Sequence, residues 1–240
     1  MIVTKIKSAL ARRASKSKAR LLQGFFKTGP GEYGAGDIFI GVTVPNIREV
    51  AAVFQDQIGF SDISQLIRSK IHEERLLSLI MLTHRFARLD AAGRRKIFQF
   101  YLRSSRYINN WDLVDLSAPR IVGAYLWDGP RDVLYELARS RCLWERRIAM
   151  VATAYFISKN DLSDTLKIAR ILLNDKHDLI QKASGWMLRE AGKRDEKVLT
   201  GFLDRYAGVM PRTMLRYSIE RLPKSKKQFY MRRGRRLSAR

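Results

Sequence analysis

The sequence predicts an all-α fold, a solenoid of paired helices. Apolar residues recur at helical period through twelve successive segments, and glycine and proline are sparse and fall between them. Four helix openings also repeat at almost constant spacing. Arg75-Leu-Leu-Ser-Leu-Ile-Met, Trp111-Asp-Leu-Val-Asp-Leu-Ser, Arg146-Arg-Ile-Ala-Met-Val-Ala and Gln181-Lys-Ala-Ser-Gly-Trp-Met start 36, 35 and 35 residues apart. Each follows another helical pattern, so the repeating unit is a helix pair, and stacked pairs line a concave face with their inner helices. Asp115, Arg147 and Trp186 come from successive inner helices and can converge there.

Residues 4–27 read as one basic helix, with Ile6, Leu10, Ala14, Leu21, Leu22 and Phe25 roughly on one face. Asp37 to Val44 alone looks extended, and a single short strand makes no sheet. Helical period then covers 45–57, 61–70, 73–88 and 91–104, the last opened by Asp90. It continues over 111–127 and over 130–140, where Pro130 suits a first turn. Segments 143–158, 161–174, 177–192 and 195–207 follow, with Asp161 and Asp195 near starts, and Pro211 opens a last helix over 211–221. One domain over 1–221 and a basic tail over 222–240 are expected.

Charge is concentrated at the ends. The 240 residues hold 46 Lys and Arg against 23 Asp and Glu, a formal charge of +23. Residues 1–27 have eight basic residues and no acid, residues 221–240 have nine and no acid, and everything between is only +6. A polyanion is therefore the expected partner. The tail, with Lys226-Lys227, Arg232-Arg233 and Arg235-Arg236, resembles a mobile polyanion-binding arm. The acid-free N-terminal segment has the composition of an organellar transit peptide but no apolar core for a secretory signal. A cytoplasmic location is expected.

Several classes fall away. One cysteine, Cys142, permits no internal disulfide framework and no multi-cysteine zinc site, and three histidines leave little for a metal centre. The longest apolar run, Ile148 to Ile157, is far too short to span a bilayer, so no membrane role is expected. Gly29-Pro-Gly-Glu-Tyr-Gly34 matches a dinucleotide fingerprint in letters only, because a basic helix precedes it and an extended stretch follows; a tight inter-helix loop is the expected role. His72-Glu73 lacks the second histidine of a zinc-protease helix.

The stretch Asn109-Asn-Trp-Asp-Leu-Val-Asp115 carries chemistry. Trp111 and Asp115 are four apart, hence on one helix face, while Asp112 points away and suits the positive end of the helix dipole. An indole beside a carboxylate can pack a sugar or a cationic base and stabilise positive charge. Read with Trp144-Glu-Arg-Arg-Ile-Ala, Ile180-Gln-Lys-Ala-Ser-Gly-Trp186-Met-Leu-Arg-Glu190 and the block from Lys27 to Pro45, the chain resembles the DNA alkylation repair family of HEAT-like-repeat DNA glycosylases, the AlkD type, over roughly residues 20–220. The resemblance implies a HEAT-like solenoid with a concave DNA-binding face. It also implies excision of N3- and N7-alkylated purines, such as 3-methyladenine and 7-methylguanine, from double-stranded DNA without cofactor or metal. By motif match it puts the catalytic aspartate at Asp115, the sugar-packing tryptophans at Trp111 and Trp186, and the phosphate-binding arginine at Arg147, with Arg146 adjacent. It further implies a lesion that stays stacked during excision. A monomer is expected. The rival readings are a non-catalytic helical scaffold that binds DNA and, given the basic tail, an RNA-binding protein.

Overall fold

The computed structural model describes residues 1–233, and all regular structure among them is helical. The chain packs as two compact units, Met1–Ser117 and Ala118 onward.

In the first unit the single basic helix expected over 4–27 is two helices, α1 (Ile2–Ala11) and α2 (Lys16–Phe25). The break follows from Ser15, whose hydroxyl accepts from Lys18 N–H to cap α2 and whose own N–H is drawn to the Ile40 carbonyl, 3.0 Å away. The apolar face therefore splits. Val3, Ile6, Ala9 and Leu10 are buried, whereas Leu21 and Phe25 are exposed. α3 (Val44–Phe54) and α4 (Phe60–Leu66) pack on α5 (His72–Arg88), and α6 (Ala91–Arg103) follows it. Of the stretch expected to be extended, Asp37 to Val44, only Ile38 pairs, in one parallel bridge with Ile71 just ahead of α5; Gly41 takes φ 82° and Val44 already opens α3.

α7 (Trp111–Ala118) closes this unit. The segment expected as one helix over 111–127 is helical throughout to Leu126, but it widens to a π-helical stretch at Pro119–Gly123, whose proline has no N–H for a regular helical bond, between α7 and the short α8 (Ala124–Leu126).

The second unit shows the helix pairing most plainly. α9 (Asp132–Ala138) pairs with α10 (Leu143–Ser158), and α11 (Ser163–Ile171) with α12 (Asp178–Arg194). α13 (Glu196–Tyr206) is followed by α14 (Arg212–Ser218). α10 packs against α12 and α12 against α14, so these three form an inner layer, while α9, α11 and α13 form the outer one. The α12–α14 approach needs Gly185, because a Cβ there would lie 2.5 Å from the Met214 carbonyl oxygen. Residues 224–233 of the basic tail form a further helix, α15 (Lys224–Arg233), anchored by the buried Tyr230, and so are not an unstructured arm. Arg235-Arg236 and the rest of the tail lie outside the described residues.

Candidate functional site

Trp111 is the first residue of α7, and Asp115 stands one turn further on; both are half-buried. What fixes this helix lies in the loop after α2. Phe26 stacks on Trp111 with ring centroids 5.1 Å apart and planes at 17°, Phe39 stacks on Phe26 at 4.9 Å, and His72 stacks on Phe39 at 4.3 Å. Phe25 adds an edge contact to the indole at 5.8 Å. The glycine-rich turn wraps beneath this ladder. Gly34 donates to the Lys27 carbonyl at 3.0 Å, and a Cβ on it would sit 2.4 Å from the Phe26 carbonyl oxygen, so only glycine fits.

The ladder ends on a buried polar cluster. His72, 1% exposed, donates from Nε2 to Asp112 Oδ2 at 2.8 Å and from Nδ1 to Asp37 Oδ2 at 3.1 Å. Two donating ring nitrogens require the imidazolium. Asp37, 5% exposed, also receives Arg75 Nη2 at 2.7 Å and the side-chain amides of Asn109 and Asn110 at 3.4 Å each. Burial pushes the His72 pKa down, but its hydrogen bonds to Asp112 and Asp37 outweigh that and hold it above the ordinary value. Burial pushes the Asp37 carboxyl up, yet the His72 hydrogen bond and the Arg75 charge hold it below the usual carboxylate range. Two carboxylates thus face two cations, a balance that a buried cluster needs. Asp112, read from sequence as a dipole-complementing acid of the first turn, is also the point where α7 is tied to α5.

On the other side of α7, the fully buried Tyr101 shares a hydrogen bond of 2.8 Å with Ser117, which donates in turn to the Leu113 carbonyl at 2.5 Å. Burial and the Asp115 charge push the Tyr101 phenol up and keep it neutral, whereas the Ser117 hydrogen bond acts the other way. A cavity of about 390 Å³ opens beside the ladder, lined by Phe26, Phe39, Val42, Ile47, Leu76 and Asp112 among others.

In the second unit Trp186 is half-buried on α12. With Ala154, Ile157 and Ser158 of α10 and Glu190, Lys193 and Arg194 of its own helix, it lines a recess of about 580 Å³. Arg147, 5% exposed on α10, donates from Nη1 to the Leu179 carbonyl at 2.7 Å. Arg146 is held by Asp175 through Nε at 2.6 Å and by the Ser140 and Arg141 carbonyls through Nη1 at 3.0 Å each. The structure therefore brings Trp111 to Asp115 within one unit and aligns Arg147 with the helix of Trp186 within the other.

From sequence, Asp37, Arg75 and Tyr101 carry no site role, His72 falls with the rejected zinc motif, and Asn109 and Asn110 are left without one although they head the Trp111 stretch. Only the clustering of polar residues on either side of Trp111 signalled Asn109 and Asn110; the others act across 35 residues or more, or through burial. Among the described residues no group of three His, Cys, Asp or Glu is placed to hold a metal ion, and no helix is long and apolar enough to cross a membrane.

No curated protein matches this sequence. A solved structure, described as a predicted DNA alkylation repair enzyme from Enterococcus faecalis, shares the fold with a TM-score of 0.69 at 15% identity, covering 88% of this chain and 98% of its own. The sequence profile of DNA alkylation repair enzymes spans residues 6–222. An all-helical chain that matches this profile almost end to end belongs to the family of DNA alkylation repair enzymes.

Proposed function

We propose that this repair enzyme is a DNA glycosylase that hydrolyses the N-glycosidic bond of cationic N3- and N7-alkylated purines in duplex DNA, as a cytoplasmic monomer working without cofactor or metal. The observation that carries the reading is the α7 arrangement: an indole and a carboxylate one turn apart, both half-exposed, on a helix whose first turn is locked by stacking and by a buried ion cluster. Such rigidity is what electrostatic catalysis requires, because a group fixed before reaction costs no reorganisation during it.

An alkylated purine that already carries positive charge leaves as a neutral base, so no general acid is needed. As the C1′–N bond breaks, both bonding electrons depart with the base and positive charge builds on the deoxyribose. Asp115 stabilises that oxocarbenium-like sugar more than the ground state, which is the source of rate enhancement, and positions the water that attacks C1′. The water's proton passes to solvent. Trp111 and Trp186 pack the sugar and exclude bulk water, Arg147 holds the adjacent phosphate with Arg146 beside it, and the cationic surface holds the backbone. Carried over from the family resemblance is a base that remains stacked rather than flipped out.

The test is release of free base from duplexes of defined lesion in the presence of a chelator. 3-Methyladenine, 7-methylguanine and bulkier N3 or N7 adducts should be released, whereas uracil and ethenoadenine should be released poorly because each would depart as an anion. Duplex binding without base release would favour the non-catalytic scaffold. Efficient uracil release that depends on Asp115 would overturn the charge-driven mechanism.

A further inference from the structure

The outer layer of the second unit carries a groove that the repair chemistry does not use. It lies between α11 and α13, has a volume of about 360 Å³, and is lined by Leu166, Lys167 and Arg170 from one helix and by residues from Lys197 to Tyr206 on the other. Its floor is apolar. Phe202 is buried, Leu166, Val198 and Tyr206 are half-buried, and the Phe202 and Tyr206 rings lie 4.8 Å apart. Gly201 leaves the middle open, since a Cβ there would meet no atom within 4 Å.

The rim is cationic and has no counter-charge. Lys167, Arg170, Lys197 and Arg205 are all exposed, no acid lines the groove, and none of the four side chains has an ion pair among the described residues. The acids of these two helices are spent elsewhere. Glu196 pairs with Lys226, and Asp204 pairs with Arg233 at 3.0 Å and accepts from Tyr230, so α15 draws the negative side of α13 away from the groove. Asp164 is held by Arg131 and Tyr135.

We propose that this groove docks an acidic amphipathic segment of a partner protein, apolar side chains entering the floor and carboxylates meeting the four cations. An apolar centre inside a charged rim is the anatomy of a protein–protein contact, and a helical groove read by apolar anchors is a recurrent mode of peptide binding. A duplex would engage the projecting cations but gain little from the apolar recess between them, so the floor is what points to a peptide. The groove is also distinct from the Trp186 recess, which opens between α10 and α12 of the inner layer.

The experiment measures binding of three fluorescent probes to the full chain: a peptide alternating Glu with Leu and Phe, a polyglutamate of equal charge, and an undamaged duplex. Lys197→Glu with Arg205→Glu should weaken the amphipathic peptide roughly tenfold or more, as expected for reversing two attractive pairs. Gly201→Trp, which fills the groove without changing charge, should weaken it too. Arg95→Glu with Lys96→Glu, a matched charge change at exposed positions of α6 outside the groove, should leave the peptide nearly unaffected. Base release from a methylated duplex should persist in all three variants. Equal affinity for polyglutamate and the amphipathic peptide would overturn the proposal, as would indifference of the peptide to Gly201→Trp. Loss of duplex affinity in parallel with peptide affinity would make the groove a nucleic-acid surface instead.

Discussion

Asp115 and Asp112 sit three residues apart on α7 and should fail in different ways when neutralised. Asp115→Asn removes the charge proposed to stabilise the sugar cation. It should retain duplex binding and lose on the order of 10²-fold or more in single-turnover base release, by analogy with removal of one preorganised donor from an oxyanion hole. Asp112→Asn leaves Trp111 and Asp115 in place and keeps an acceptor oxygen for His72 Nε2, but removes the negative charge that offsets the buried imidazolium. Its main effect should be on stability, about 1–3 kcal/mol for a charge-assisted hydrogen bond made neutral on one side, with a far smaller loss of activity. Equal activity losses in parallel assays would dissolve the distinction between chemistry at one carboxylate and anchoring at the other.

For α7 and the elements that hold it, the cluster makes an expectation about pH. Because the folded His72 pKa is raised, its contribution is complete below the ordinary imidazole value of 6.5 and is lost as pH rises through the elevated folded value. The Asp37 pKa is lowered, so its contribution is present above the ordinary carboxylate value of 3.8 and is lost as pH falls through the depressed one. Thermal melting should therefore decline on the alkaline side of the His72 titration. His72→Gln, which keeps a donor but cannot titrate, should melt lower overall and lose that alkaline decline; an undiminished decline would place the titrating group elsewhere. In the second unit, Gly185→Ala forces a methyl against the Met214 carbonyl oxygen and the Tyr217 Cβ, each 2.5 Å from the new carbon. Moving α14 off α12 should cost about 1–3 kcal/mol, the usual scale of overpacking, readable as a lower denaturant midpoint.

Across the whole molecule, the ends matter for both charge and packing. Deleting residues 224–240 removes eight basic residues and no acid. Duplex affinity should fall irrespective of sequence, and the slope of log affinity against log salt should become shallower, with single-turnover chemistry preserved at saturating protein. The helix adds a second consequence. The deletion also uncovers α13 where Tyr230 and the partners of Glu196 and Asp204 had packed, so the truncated chain should melt at lower temperature. An unchanged salt slope with a lowered melting point would make α15 a structural cap alone.

The sequence by itself determined that the chain is helical, where most helices lie, and that Trp111 and Asp115 share a face. These follow from short-range rules: apolar residues at helical period, capping acids and prolines near helix starts, and the four-residue turn that relates positions 111 and 115. The near-constant 35-residue spacing was legible for the same reason, since each repeat is a local unit copied along the chain. Periodicity failed where a tertiary contact competed with it. The N-terminal helix breaks at Ser15 because its N–H is claimed by Ile40, and residues 224–233 of the basic tail pack as α15 because Tyr230 finds a buried seat. Only the tertiary structure decided that Asp112 is an anchor, that His72 joins it to Asp37 from 35 residues upstream of the histidine, and that a tyrosine lies beside Asp115. No local pattern encodes such pairs, because burial alone turns four scattered residues, Asp37, His72, Arg75 and Asp112, into one charge-balanced cluster.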